Sequence, residues 1–253
     1  MYVLISPAKK LNNETSLVEG TTHPSLLTDS EVLVAEARQK TVPELQKLMG
    51  ISDKLATLNA ARFQSFNTPF TPQNAQPAVL MFAGDTYVGL DASTLTEEDL
   101  DYAQQHLGIL SGLYGLLRPK DLIQAYRLEM GTRMKTKRGS NLYSFWGDKI
   151  TEEVNAHLKS HERKTVINLA SKEYFSSVQV DKLLGTVITP VFKENRNGKL
   201  KIISFSAKRA RGTMARYIIK NRIEQPEALK SFAEASYRYN PQLSDEQNWV
   251  FVR

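Results

Sequence analysis

Cysteine is absent from the 253 residues, and its absence excludes disulfides, thiolate nucleophiles, Cys-liganded zinc and iron–sulfur clusters together. No redox step can pass through a thiol. Long apolar runs are also missing. The most apolar stretch, Leu107 to Leu117, is interrupted by three glycines and falls short of the ~20 residues a membrane helix needs. The opening MYVLISPAKK places no basic segment ahead of its apolar residues, so neither a secretion signal nor a membrane contact is expected, and the chain reads as cytoplasmic.

Histidine is scarce, at 4 residues. His157 and His161 stand four apart beside Glu162, a spacing that can bind metal, but no third ligand and no HExxH accompany them. An exposed helix end is the expectation, with neither metal nor cofactor. Ser171 sits in Ala-Ser-Lys, so there is no nucleophile elbow. No Walker loop or GxGxxG turn occurs, which leaves nucleoside triphosphate binding without support.

What is present, 41% hydrophobic and 24% charged residues, describes a globular protein with a substantial core. Its charge is unevenly placed. Residues 1–101 carry 7 basic and 13 acidic side chains, whereas residues 102–253 carry 26 and 14. Within the second part, residues 193–222 hold ten Lys or Arg and a single acid, Glu194. Such a segment makes a strong local positive field that attracts polyanions. A merely solvated basic face is the alternative.

The pattern of apolar residues predicts strands at Tyr2–Ile5, Ala78–Phe82, Thr165–Leu169, Thr186–Phe192, Leu200–Phe205 and Trp249–Val252. Asn197-Gly198 supplies the turn of an antiparallel hairpin. Helical spacing covers Thr28–Lys40, Thr41–Met49, Ser52–Phe66, Thr96–Leu107, Phe145–Lys159, Ala207–Arg222 and Glu227–Ala233. Thr41-x-x-Glu44 and Thr96-x-x-Asp99 open two of these as capping boxes. Strands and helices mix without regular βαβ alternation, so a mixed α/β or α+β fold is expected in preference to a doubly wound sheet. Pro69 to Pro77 is a loop and no domain boundary is evident, so residues 1–253 read as one domain.

Three segments carry potential chemistry. Val42 to Asn59 reads as a capped helix, a turn at Met49-Gly50-Ile51 and a second helix from Ser52, within an element spanning about 41–66. It resembles the helix-hairpin-helix motif of DNA-binding proteins, with Gly50 as first hairpin glycine, Ile51 as apolar pin and Lys54 as a phosphate-facing cation. Ser52 replaces the second glycine. Amides at such a turn bind a backbone phosphate without reading bases; an ordinary helical hairpin is the alternative.

The second segment is Ala207 to Arg222. At ~100° per residue, Arg209, Thr213, Arg216 and Lys220 form one stripe, Lys208, Arg211 and Arg222 another, with Ala207, Ala210, Met214 and Ile218 facing the core. Both rows could meet phosphates. The third segment runs from Ser111 to Arg118 and on through Tyr126, Arg127 and Glu129 to Arg133, Lys135, Lys137 and Arg138. It offers stacking surfaces and bidentate phosphate donors. Polar residues also follow two strands, namely Ser6, Lys9 and Lys10 after the first, and Asn168, Ser171, Lys172, Glu173 and Tyr174 after Thr165–Leu169. Strand ends are common ligand sites.

Taken together, ISPAK (5–9), ISDKLATLNAARF (51–63), FAGDTYVGL (82–90), LSGLYGLLRPKDLIQAYRLEMG (110–131), LYSFWGDKIT (142–151), VINLASKEYF (166–175) and KIISFSAKRARGTMARYII (201–219) closely resemble the bacterial YaaA family. The resemblance runs from residue 1 to about 235. It implies a cytoplasmic protein that limits damage from hydrogen peroxide and intracellular iron. It also implies an uncommon single-domain mixed-sheet architecture with a basic cleft and a helix-hairpin-helix element that binds DNA with little sequence preference. On that resemblance Gly50, Ser52 and Lys54 are the expected hairpin contacts. Lys9, Arg118, Arg127, Lys208, Arg209 and Arg211 are the cleft candidates from their chemistry, with Arg216 and Lys220 continuing the helix stripe.

The leading expectation is therefore a monomeric, non-enzymatic DNA binder. The alternative is an enzyme acting on a nucleotide, nucleobase or damaged DNA end, in which the loops Ser6–Lys9, Ser111–Arg118, Tyr126–Glu129 and Asn168–Tyr174 meet in one pocket with Glu129 or Lys9 as acid or base. Proximity of those four loops separates the two.

Overall fold

Tyr2, Val3, Leu4 and Ile5 are all buried, as an interior strand covered on both faces must be. In the computed structural model, which describes residues 1–12 and 18–253, this strand pairs in parallel with Leu107–Ser111 on one side and Thr165–Leu169 on the other. Thr186–Arg196 lies parallel to Thr165–Leu169, and Asn248–Val252 parallel to Thr186–Arg196. Antiparallel pieces complete the sheet: Gly115–Leu117 on Leu107–Ser111, Arg238–Tyr239 on Asn248–Val252, and Lys199–Lys201 folded back on Thr186–Arg196.

The mixed sheet expected from the sequence is therefore present, with five adjacent parallel strands at its centre. Counted along the chain, these five stand in the order 2-1-3-4-5. The chain leaves the first strand to one side and later returns on the other, which makes the first/third boundary a switch point. Loops diverge there and open a crevice at the carboxyl ends of the strands.

Local chemistry explains most elements. Thr41 and Thr96 form the two capping boxes, at the helices Val42–Met49 and Glu97–His106. Asn197 and Gly198 have φ of 53° and 79°, the left-handed pair that a tight hairpin requires. The helices Leu27–Arg38 and Asp53–Ser65 also lie where their periodicity places them.

Four expectations are corrected. Ala78–Met81 is a turn of helix, not a strand; a short, wholly apolar run carries no periodicity to separate the two. Phe145–Lys159 divides into Leu142–Trp146 and Lys149–Ser160, broken at Gly147, whose φ is 51°. Leu200–Phe205 is strand only through Lys201, because the helix Ser204–Lys220 begins three residues before Ala207. Pro226–Ser231 is a 3-10 turn. Leu107–Ser111 went unread as a strand because Gly108 dilutes its signal. The neighbouring side chains require that glycine, since a Cβ there would lie 2.8 Å from Tyr2 Oη and 2.9 Å from Leu4 Cδ2.

Ser204–Lys220 packs across the short helix Asp85–Leu90. A Cβ on Gly89 would lie 2.0 Å from the Arg209 carbonyl oxygen, and one on Gly212 1.7 Å from that of Thr86. The two backbones therefore touch. Among the described residues, no helix is long and apolar enough to cross a membrane.

Candidate functional site

The first and third parallel strands end in Ile5 and Leu169, which are in register. Just beyond them the Ser171 amide donates to Ser6 Oγ at 2.9 Å, and Ser171 Oγ accepts from the Tyr174 amide at 3.4 Å. This second bond caps the turn Lys172–Phe175 and turns the Glu173 and Tyr174 segment over the strand ends. A cavity of about 380 Å³ opens there.

One wall is cationic. Lys208 and Arg211 line the cavity from the Ser204–Lys220 helix, and Lys10 lines it from the loop after the first strand. The close contact at Gly89 and Gly212 holds that helix against Asp85 and Thr86, which also line it. Arg211 is half-buried, and burial pushes its pKa down. Among the described residues, the side chains of Lys10, Lys208, Arg209 and Arg211 have no acidic partner.

The facing wall carries carboxylates. Glu129 bridges Lys9 Nζ at 2.6 Å and Arg127 Nη2 at 3.1 Å. Glu173 Oε1 accepts from the Gly131 amide at 2.9 Å. Arg127 stands behind Glu129, outside the cavity lining, and its buried Nε has no hydrogen-bond partner among the described residues. Burial raises the Tyr174 phenol well above its ordinary range, so the ring presents a neutral hydroxyl.

Three of the four loops of the enzyme reading thus meet, through Ser6 to Lys9, Glu129, and Leu169 to Tyr174. The fourth does not deliver Arg118. Because Gly115–Leu117 runs antiparallel to Leu107–Ser111, the chain leaves it at the opposite end of the sheet. There Arg118 bonds Asp121 at 3.0 Å and the His23 carbonyl at 3.2 Å.

The helix stripe is also divided. Arg209 is exposed and free of acids, whereas Arg216 donates to the carbonyls of Leu90 and Asp91 at 3.0 and 2.8 Å, closing the end of Asp85–Leu90. Lys220 and Arg222 hold Asp99 at 2.8 and 2.9 Å. Burial alone would raise the Asp99 carboxyl, but Lys220, the Thr96 amide and Arg222 outweigh it and hold the pKa at about 2. Acids are scarce within the basic segment, yet its partners arrive from the acidic first hundred residues. Glu194 pairs with Arg196 and Arg253 at 2.6 and 2.7 Å.

The hairpin has the expected local form. Gly50 is left-handed at φ 61°, ψ 44°, with nothing within 4 Å of a Cβ placed there. Ile51 is buried, Ser52 caps the second helix through the Leu55 amide at 3.4 Å, and Lys54 is exposed. The pair packs on Leu27–Arg38 and contributes nothing to the cavity lining.

His157 and His161 do not form an exposed helix end. His157 stacks on Tyr2 at 4.8 Å, and a His161 ring nitrogen meets the Gln105 carbonyl at 3.1 Å. Burial, followed by neighbouring positive charge, pushes the His161 pKa down to about 4.

The contribution of Asp85 and Thr86 to the site was not read from the sequence. The signal for it is the glycine pair: Gly89, four residues past Asp85, and Gly212, one past Arg211, mark two backbones that touch.

The family described as Peroxide stress protein YaaA matches residues 1–243. A UPF0246 protein of Saccharophagus degradans is 54% identical over 254 residues, covering 100% of this chain and 99% of the relative. Another from Colwellia psychrerythraea is 51% identical with the same coverage.

Proposed function

The chain belongs to the peroxide stress protein YaaA family, and from that premise we propose that it binds DNA through phosphate contacts with little sequence preference. The observation that supports this most is the group Lys10, Lys208 and Arg211, cations without an acidic partner among the described residues that line the cavity at the carboxyl edge of the parallel strands, with Arg209 exposed on the same helix. Unpaired cations so placed attract a polyanion, and phosphate contacts carry no sequence information. Gly50, Ser52 and Lys54 form a second phosphate contact, through the start of the helix Asp53–Ser65 and the exposed Lys54 side chain. Lys9 serves at the cavity rim, and Arg127 holds Glu129 in place behind it. Arg118, Arg216 and Lys220 act chiefly on the fold.

The protein then protects by occupying or shielding DNA that iron-driven oxidation damages. A sequence without cysteine gives no thiol peroxidase, and catalytic peroxide consumption by the purified protein contradicts this account. The enzyme reading draws support from the loops that meet at the cavity.

The test is fluorescence anisotropy with several unrelated duplexes. Similar affinities for all of them, each reduced by a similar factor in Lys54→Glu, are expected. Selective loss of one sequence overturns phosphate-only recognition.

A further inference from the structure

Four features of the cavity bear on what it holds. It lies at the switch point of the parallel strands, where open α/β sheets place their ligands. Its volume, about 380 Å³, is at the small end of the roughly 300–1,000 Å³ that small-ligand clefts occupy; that suits one nucleotide and not a dinucleotide. Its lining carries both signs of charge, with Asp85 on the helix side and Lys9 paired to Glu129 on the other. The helix wall offers Lys208 and Arg211 with Lys10, none neutralised by an acid among the described residues. The other offers the carboxylates of Glu129 and Glu173 and the Tyr174 ring.

Arg211 is the most informative of these residues. Its guanidinium is half-buried yet has no acidic partner among the described residues, and that loss of solvent is unfavourable until an anion arrives. A planar guanidinium matches phosphate oxygens two at a time. Opposite it, carboxylates accept from sugar hydroxyls or an exocyclic amine, and an aromatic ring stacks on a base. Inorganic phosphate alone would meet only the cationic side chains, and a neutral nucleoside would bring them no counter-charge.

We propose that this cavity binds a nucleoside 5′-monophosphate unit, with its phosphate on Lys208 and Arg211 and its sugar and base toward Glu129, Glu173 and Tyr174. The unit is a free mononucleotide or the phosphorylated end of a DNA strand. This goes beyond duplex binding and does not depend on it.

The experiment is isothermal titration of the full chain with a nucleoside 5′-monophosphate, the parent nucleoside and inorganic phosphate. Saturable 1:1 binding of the nucleotide is expected, at least tenfold tighter than either fragment. Arg211→Gln and Lys208→Gln should each weaken it about tenfold or more with circular dichroism unchanged, while Lys159→Gln, on an exposed position remote from the lining, leaves it as it was. Two oligonucleotides differing only in a 5′-phosphate separate the sources. A preference for the phosphorylated end that Arg211→Gln abolishes assigns strand ends; equal affinity beside tight mononucleotide binding assigns the free nucleotide. Absence of saturable nucleotide binding at millimolar concentration overturns the proposal, as does undiminished binding by both cavity variants. Nucleotide binding without duplex binding upholds this site and rejects the DNA reading. Duplex binding without nucleotide binding does the reverse.

Discussion

Gly89 and Gly212 interlock: each takes the place where a side chain would strike the carbonyl of the other's helix, at 2.0 Å from Arg209 O and 1.7 Å from Thr86 O. The contact sets how closely the helix carrying Lys208 and Arg211 approaches Asp85 and Thr86, which line the same cavity. Replacing either glycine with alanine must push the helices apart, at a cost of about 1–3 kcal/mol for overpacking. Gly212→Ala should lower the melting temperature by several degrees and weaken anion binding with it. Unchanged melting with unchanged binding contradicts this role.

Asp99 ties the end of the basic helix to the acidic half of the chain. Its folded pKa of about 2 lies below the unfolded carboxylate value near ~3.9. The pair therefore stabilises the fold fully above the unfolded value and is lost as pH falls from about 4 toward 2. Asp99→Asn should cost roughly 1–2 kcal/mol at neutral pH. This is less than for a fully buried pair, because Lys220 and Arg222 are 43% and 40% exposed and can turn to water. Denaturant melts at pH 7 and pH 3 check this: the difference between variant and parent should shrink at the lower pH.

Glu129 neutralises Lys9 and faces the cationic wall. Glu129→Gln removes one negative charge and releases Lys9, so inorganic phosphate or pyrophosphate should bind several-fold more tightly at low salt, and less so as salt screens the field. A titration showing weaker anion binding in this variant contradicts the charge assignment.

Among the described residues nothing lies within 4 Å of a Cβ at Gly50, so its replacement tests backbone conformation. Gly50→Ala should cost about 1 kcal/mol because a left-handed φ penalises a Cβ, and Gly50→Asn should recover part of it. Equal stability of the three proteins in urea melts contradicts this.

Legibility in the sequence followed the range of each signal. Thr41 and Thr96 announced their helices because a capping box is complete within four residues. Tyr2–Ile5 and Thr165–Leu169 announced themselves as strands through short runs rich in β-branched and aromatic residues, bounded by polar loops. The turn at Gly50 and the helix start at Ser52 were legible for the same local reason. The partners of Arg118, Arg216 and Lys220, namely Asp121, Leu90, Asp91 and Asp99, were not legible because folding chooses them, three of the four lying more than a hundred residues from the cation they bind. The convergence of Ser6, Ser171, Lys208 and Arg211 depends on strand order and on one helix crossing, and no window of sequence contains either.

The most direct test is the salt dependence of duplex DNA binding. Each phosphate contact contributes ~0.9 to the slope of log affinity against log salt. The account predicts a steep slope for the parent protein and, for Lys208→Gln combined with Arg209→Gln, a slope shallower by about 2 with lower affinity on every duplex. A shallow parent slope, or one that these substitutions leave unchanged, contradicts phosphate recognition by this face of the molecule.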